Sequence, residues 1–259
     1  MQNDYTSLTV ETVGHVAILR LNNPPVNALT TTLIEELTLA LDRISETDAI
    51  RAVVLTGEGK VFCAGADLKG RAQAIKEPGD LPQHSRRTRE VFHTIRECVK
   101  PVIGAINGPA LGAGLAIVAS CDILVAASTA VVGLPEINVG LLGGGRHGMR
   151  LFSHSRLRRM MLTGMRVDGD ELYRLGIVEA SVPPERLMDV ALELANEVAS
   201  KSPLSSKLAK QTLNAIEEMS LRDGYRYEQD MTAAIAQTQD AKEARQAFLE
   251  KREPIFQGR

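Results

Sequence analysis

The longest uncharged run of the chain, residues 101–121, strongly limits what the fold can be. The run is long enough to cross a bilayer as one helix. However, an Asn107-Gly108-Pro109 turn interrupts its centre, and Asp122 follows at once. Such a turn breaks a membrane helix. The run therefore predicts a buried strand, a turn and a buried helix, with no membrane span.

Short apolar strands alternate with helical patterns through the first half of the chain. The predicted strands are Val16–Leu21, Val53–Thr56, Val102–Ile106, Ile123–Ala126 and Ala130–Val132. The helix after the first strand has an apolar face made by Leu33, Leu37, Leu41 and Ile44. Thr32 and Glu35 have the spacing of a capping box at its start, and a second helix is predicted over Gly112–Ser120. This alternation indicates an α/β fold with a mainly parallel sheet covered on both faces.

From about Ser155 onward the pattern is nearly all helical. One amphipathic face is made by Leu187, Val190, Ala191, Leu194 and Val198. Helices are also predicted over Leu204–Met219 and Ala241–Lys251. The polar segment Gly70–Arg89 contains two prolines and is predicted to be a mobile loop.

Charge and cysteine content exclude several classes of protein. Lys+Arg 30 against Asp+Glu 32 gives a formal net charge of -2, without the excess positive charge that nucleic-acid binding needs. Cys63, Cys98 and Cys121 form no CxxC pair, so we expect no disulfide, no metal site and a reducing, cytoplasmic location. The N-terminus has neither a basic start nor an apolar core, so we expect no signal peptide.

Three short motifs follow predicted strands and are the candidates for chemistry. They are Phe62–Asp67, Asn107–Gly114 and Gly133–Glu136. In the first two, small side chains allow a ligand to approach backbone N–H groups closely, as an oxyanion hole requires. Tight packing of a strand on a helix explains such turns equally well.

Glu136 is the one carboxylate in the apolar stretch 130–139. Burial there would raise its pKa into a range useful for acid–base catalysis. Its other interpretation is a helix-start or salt-bridged glutamate. The sequence contains no G-x-x-x-x-G-K-[ST], G-x-S-x-G or HExxH motif, so nucleotide hydrolysis, serine hydrolysis and zinc proteolysis lack their usual residues.

Five strings, spread over most of the chain, resemble the crotonase superfamily in order and spacing. They read GEGKVFCAGADLK, KPVIGAINGPALGAG, CDILVA, GLPEINVGL and FLEKREPIF. The resemblance implies a crotonase-like spiral of ββα units over residues 1–200 and a helical C-terminal trimerisation region over residues 201–259. It also implies a homotrimer or homohexamer. The substrate would be an acyl-CoA thioester that carries the coenzyme A itself, with no separate cofactor.

The resemblance also assigns roles to individual residues. The thioester oxygen would accept hydrogen bonds from the backbone N–H groups of Ala66 and Ala113, and Glu136 would transfer a proton. The path of the pantetheine and adenine would be lined by Ala64, Asp67, Leu68 and Lys69. Lys60 and Lys69 would contact CoA phosphates, or would simply be solvated.

One departure from the family pattern concerns the reaction. Hydratases of this family place two glutamates around the water and the double bond, and the first falls at Ala116, which transfers no proton. The resemblance thus implies either hydration of a 2-enoyl-CoA or a double-bond shift catalysed by Glu136 alone. His147 is a candidate substitute and Arg146 a candidate ligand for an acyl carboxylate, unless both belong to a basic interface helix. A catalytically silent acyl-CoA-binding or scaffolding protein is the remaining alternative.

Overall fold

The computed structural model describes residues 5–259, apart from the side chains of Arg71 and Ala74. We expect no signal peptide at the N-terminus. Residues 1–4 of that segment lie outside the described residues. The strands are β1 Leu8–Val13, β2 Val16–Leu21, β3 Ala52–Gly57, β4 Val102–Ile106, β5 Ala110–Leu111, β6 Ile123–Ala127, β7 Val131–Gly133, β8 Arg166–Asp168 and β9 Ser181–Val182.

Helices occupy much of the remaining chain. They are α1 Thr31–Ser45, α2 Leu68–Ala74, α3 Asp80–Glu97, α4 Ala113–Val118, α5 Gly145–Gly148, α6 His154–Thr163, α7 Gly169–Arg174, α8 Leu187–Ala199, α9 Pro203–Ile216, α10 Leu221–Ala236 and α11 Gln239–Glu250. Pro135–Val139 and Pro184–Arg186 are 3₁₀ helices. The chain is thus a mixed α/β protein.

The larger sheet has the strand order β1-β2-β3-β4-β6-β9, with β1 antiparallel to β2 and the other pairs parallel. Every residue of β3 and β4 is buried, as expected of parallel strands covered on both faces. Helix α8 packs across β2, β3, β4 and β6. The predicted mainly parallel sheet is therefore confirmed. A smaller sheet, β5-β7-β8, pairs β5 with β7 in parallel and β7 with β8 antiparallel.

The uncharged run folds as β4, β5 and α4, which confirms the predicted strand, turn and helix. No helix in residues 5–259 is both long and apolar enough to cross a membrane. The amphipathic face from Leu187 onward is also confirmed, because Leu187 and Ala191 of α8 are fully buried. Short strands β8 and β9 interrupt the helical second half, which the pattern did not predict.

The predicted loop over Gly70–Arg89 is wrong. Most of this segment belongs to α2 and α3, separated by a short turn. The Asp80 carboxylate accepts the N–H groups of Lys76 and Glu77 at 2.9 and 2.8 Å, which fixes the turn. Pro82 lies in the first turn of α3, where a missing N–H costs nothing because it would have no partner within the helix. Proline at this position is therefore compatible with the helix and does not break it.

The capping box predicted at Thr32 and Glu35 is also wrong. Thr30 is the N-cap of α1, and its side chain accepts the Leu33 N–H at 3.2 Å. Thr32 therefore lies inside the first turn. The apolar face of α1 is confirmed as core, since Leu33, Leu37, Leu41 and Ile44 are fully buried. The division into residues 1–200 and 201–259, the ββα spiral and the trimerisation role stay predictions.

Candidate active site

The two glycine-rich turns are bonded to each other through the backbone. Phe62 and Cys63 both donate N–H groups to the Pro109 carbonyl at 3.1 Å, and the Cys63 carbonyl accepts the Leu111 N–H at 2.9 Å. A β-carbon on Gly114 would lie 2.2 Å from the Cys63 carbonyl oxygen, so only glycine fits there. The turns that were predicted from separate motifs thus form one wall.

The N–H of Ala66 points out of this wall. The preceding carbonyl, of Gly65, accepts the Leu29 N–H at 2.8 Å. Because the N–H and C=O of a trans peptide point in opposite directions, the Ala66 N–H is directed away from Leu29. No acceptor within residues 5–259 receives this N–H. Ala66 lines the cavity on that side.

Ala113 supplies the second available N–H. It is the first residue of α4, where a backbone N–H has no partner inside the helix. Across the described part of the chain its N–H likewise meets no acceptor. A β-carbon on Gly65 would lie 4.0 Å from the Ala113 nitrogen, so the two alanines are close neighbours. Two unbonded donors therefore face one cavity, as an oxyanion hole requires.

The cavity in front of these donors has a volume of about 470 Å³. Ala64, Ala66, Ala113, Ala116 and Glu136 line it. Its larger apolar lining residues include Leu68, Phe92, Pro135, Val139, Leu141 and Leu142. A mainly apolar pocket with a few convergent polar groups is typical of a small-molecule site.

Glu136 lies directly across from the start of α4. It is in the first turn of the 3₁₀ helix Pro135–Val139, so the helix-start interpretation is right about its position. A β-carbon on Gly112 would lie 2.5 Å from Glu136 Oε1, and one on Gly143 would lie 3.4 Å away. Glycines at these two positions leave room for the carboxylate beside Ala113.

The environment of Glu136 favours proton transfer. Its Oε2 atom is buried and has no hydrogen-bond partner in the described structure. Burial raises the pKa of Glu136, and a hydrogen bond to its own backbone offsets this only in part. Within residues 5–259 it forms no ion pair, so the salt-bridge interpretation is wrong. A carboxyl group held this way can exchange a proton with a ligand.

Ala116 follows Ala113 on α4 and is buried against the same cavity. Its methyl group bears no exchangeable proton. Glu136 is therefore not faced by a carboxylate at this position.

The other residues predicted to line the ligand path divide into two groups. Ala64 and Leu68 are exposed and line the cavity. Asp67 is not among its described lining residues; its carboxylate accepts the Gly70 N–H at 3.0 Å, the pattern of a helix N-cap. Lys60 and Lys69 are exposed, and neither is among the described lining residues.

Arg146 and His147 lie in different surroundings, although they are adjacent in the sequence. Arg146 forms an ion pair with Glu218 and lines a smaller cavity of about 220 Å³, apart from Glu136. His147 lines both cavities. Its ring meets that of Phe92 edge-on, with centroids 4.9 Å apart. Arg146 thus lies among charged residues, as the alternative of a basic helix expects, whereas His147 lines the candidate site.

Several lining residues were missed from the sequence. They are Thr88, Phe92, Asn138 and Arg166. Arg166 is opposite Gly133 in the β7–β8 pairing, which brings it to the strand that leads to Glu136. Nothing in the local sequence signals this long-range pairing. The spacing of the apolar residues Val91, Phe92 and Ile95 indicates a helix, but it does not indicate that Phe92 lines the site.

A model of the enoyl-CoA hydratase/isomerase family matches residues 11–259. A probable mitochondrial enoyl-CoA hydratase of Dictyostelium discoideum is 34% identical over 97% of this chain and 91% of its own. The 2,3-dehydroadipyl-CoA hydratase of Escherichia coli is 34% identical over 98% of this chain and 100% of its own. The crystal structure of an enoyl-CoA hydratase from Bacillus anthracis is 33% identical and superposes with a TM-score of 0.92, covering 98% of this chain and 100% of that one.

Proposed function

The chain belongs to the enoyl-CoA hydratase/isomerase family, and on this premise we propose that it hydrates 2-enoyl-CoA thioesters. The family membership predicted from the motifs is thereby confirmed. The hydration proposal rests on one observation above all. A buried carboxyl oxygen without a partner, on Glu136, faces the same cavity as two unbonded backbone N–H groups.

In the proposed reaction the thioester oxygen accepts hydrogen bonds from Ala66 and Ala113. These bonds strengthen as negative charge develops on that oxygen, so they stabilise the enolate more than the substrate. One such donor typically lowers the barrier by about 3 kcal/mol. Glu136 then exchanges a proton with the α-carbon of the acyl group. Coenzyme A enters only as part of the substrate, and no separate cofactor takes part.

Ala64 and Leu68 are proposed to contact the pantetheine arm, because both are exposed at the cavity beside Ala66. Asp67 is proposed to support this segment by capping α2. Lys69 is proposed to stay near the CoA phosphates from its exposed position. Among relatives, the Escherichia coli hydratase acts on 2,3-dehydroadipyl-CoA.

A double-bond shift is the second candidate, and Ala116 is the observation that favours it. One carboxyl group suffices to remove an α-proton and to return it elsewhere on the allylic enolate. Hydration, in contrast, adds both parts of a water molecule. If no other side chain assists Glu136, isomerisation is the simpler reaction for this site.

The deciding experiment incubates the purified protein with 2-enoyl-CoA and 3-enoyl-CoA thioesters and follows the absorbance of the conjugated thioester. Hydration of the first lowers this absorbance, whereas isomerisation of the second raises it. Glu136→Gln is expected to lower either activity by about 100-fold or more. Glu185→Gln, at an exposed position in the 3₁₀ helix Pro184–Arg186, is the matched control and keeps full activity.

Two results contradict the proposal in different ways. Full activity of Glu136→Gln with the best substrate removes Glu136 from the mechanism. Tight binding of acyl-CoA without turnover across the panel shows instead a catalytically silent binding or scaffolding protein.

We also propose that the helical region from α9 to the C-terminus assembles the chain into a homotrimer or homohexamer. Support comes from large apolar side chains that this region leaves exposed: Leu213, Leu221, Phe248, Leu249 and Ile255. Covering them in an assembly would recover hydrophobic free energy. Light scattering is expected to give three or six times the chain mass of 28.1 kDa, and a monomer contradicts the proposal.

A further inference from the structure

We propose that His147 is the second proton-transferring side chain of this site, receiving a proton from the attacking water while Glu136 protonates the α-carbon. The inference rests on the proposed hydration and supplies the group that Ala116 lacks. It assigns hydration to a carboxyl–imidazole pair.

Position is the first argument. His147 is on α5, which packs against α4, the helix that carries Ala116. His147, Ala116 and Glu136 all line the same cavity. An imidazole from α5 therefore reaches a cavity in which Ala116 of α4 offers only a methyl group.

Unused hydrogen-bonding capacity is the second argument. Neither ring nitrogen of His147 bonds to any residue that the structure describes, although the ring is half-buried beside Phe92. Buried polar groups are ordinarily paired with protein or water. The imidazole nitrogens are consequently available to a water molecule or to the substrate.

The surrounding charges explain why the ring stays free. On the side of the smaller cavity, the charged and titratable groups that face it are His93 and Arg96 of α3, Arg146 of α5, Arg150, and Glu217 and Glu218 beyond α9. On the side of the larger cavity they are Glu136 and Arg166. Glu217 pairs with both Arg96 and Arg150 at 2.8 Å, and Glu218 pairs with Arg146. Both carboxylates of the smaller cavity are thus engaged by arginines, and neither is bonded to His147.

These surroundings also keep the ring neutral. Burial lowers the pKa of His147, and His93, Arg150 and Arg146 lower it further. The unprotonated imidazole is therefore the main form near pH 7 and can accept a proton. Burial acts on Glu136 in the opposite sense and raises its pKa, which increases the fraction able to donate. The two shifts bring the pKa values of Glu136 and His147 closer together, so a proton can pass between the two groups at little cost in free energy.

The proposed step balances without any further reactant. The water oxygen forms a bond to the β-carbon, and a water proton passes to a His147 ring nitrogen. The electron pair of the double bond moves toward the thioester oxygen, held by Ala66 and Ala113. The Glu136 carboxyl proton then forms the bond to the α-carbon, which gives a 3-hydroxyacyl-CoA. One proton transferred from the His147 imidazolium to the Glu136 carboxylate restores the starting enzyme.

The test compares two activities of the same variants. Exchange of the α-protons of a saturated acyl-CoA with D₂O, followed by NMR, requires Glu136 but no water addition. His147→Gln is expected to lower kcat for hydration of a 2-enoyl-CoA by about 100-fold or more, with α-proton exchange changed by only about twofold. It is also expected to remove one limb of the bell-shaped pH profile of kcat/KM. His154→Gln, at an exposed histidine outside the cavity, is the control and changes neither activity.

The outcomes separate the two proposals. Hydration by His147→Gln at nearly the wild-type rate, with both pH limbs intact, overturns the role of His147 and leaves the proposed hydration standing. Parallel loss of hydration and α-proton exchange also overturns it, because a general disturbance of the pocket then explains the result. Wild-type protein that exchanges α-protons but hydrates no 2-enoyl-CoA overturns the proposed hydration and the inference together.

Discussion

Gly112 lies directly against the carboxylate of Glu136: a β-carbon on Gly112 would be 2.5 Å from Oε1. Gly112 has a φ of 56°, which also favours glycine, and it precedes Ala113 at the start of α4. The same residue therefore shapes the turn that presents one N–H donor and leaves room for the acid–base group. The absence of a side chain at Gly112 therefore affects both the N–H donor of Ala113 and the carboxylate of Glu136.

We expect Gly112→Ala to lower activity by at least about tenfold, because the added methyl displaces a carboxylate that catalysis requires to be well placed. Steady-state kinetics with the best enoyl-CoA substrate measures the effect. Gly14→Ala is the control, since Gly14 has a similar φ of 58° but has no atom within 4 Å of its added β-carbon. Equal loss of activity in the two variants would show that the contact with Glu136 is unimportant.

Glu136→Gln is expected to keep or increase the free energy of unfolding at neutral pH while it removes activity. Burial raises the pKa of Glu136, so the folded state holds the proton more tightly than the unfolded state does. The ionised group therefore costs stability, and this cost appears as the pH rises above the ordinary glutamate value of about 4.5. Urea unfolding of both proteins at several pH values checks the sign. We expect the stability of Glu136→Gln relative to wild type to increase as the pH rises from about 4 to about 7. A decrease over this range would show that the expected sign is wrong.

The sequence predicted the scaffold of the site because its signals are local. The apolar run Val102–Ile106 is a strand with those bounds, and the turns around Ala66 and Ala113 follow strands as their glycines indicated. Glu136 was found because a carboxylate in an apolar stretch needs a cleft or a partner. Each of these features depends on neighbouring residues only.

Features that depend on distant pairing were missed. Arg166 enters the site through its register with Gly133 on another strand, and Phe92 enters through the packing of α3 near α4. Pro82 was taken as a helix breaker, although its place in the first turn of α3 makes it compatible with the helix. Whether a proline fits or breaks a helix depends on where that helix starts, and the local pattern does not mark the start of α3.

Lys210 of α9 is buried and its Nζ lies 2.7 Å from Asp122 Oδ2. The same Nζ donates to the carbonyls of Ile95 and Lys100 at 3.2 Å, so it ties α9 to the sheet region. We expect Lys210→Met to lower the free energy of unfolding by about 3 kcal/mol, because Asp122 loses its ion-pair partner and the carbonyls of Ile95 and Lys100 lose a buried donor. Denaturant titration measures this loss.

The companion variants make the Lys210 result interpretable. Lys210→Met combined with Asp122→Asn is expected to recover part of the loss, since no unpaired charge remains. Arg186→Met, which breaks the exposed pair with Asp189, is the control and changes stability by less than about 1 kcal/mol. A Lys210→Met effect as small as that control shows that this contact does not hold α9 in place.

Ala116→Glu provides the last expected outcome, because it places a second carboxylate opposite Glu136. In a His147→Gln background, we expect Ala116→Glu to raise hydration of a 2-enoyl-CoA by at least about tenfold, since the new side chain supplies a base for the attacking water. Ala116→Gln in the same background has nearly the same size but no base, and it is expected to give no increase. Rates of hydration and of α-proton exchange measured for both double variants separate the two effects. Equal hydration by the glutamate and glutamine variants, with α-proton exchange preserved, would mean that the site lacks more than a base at this position.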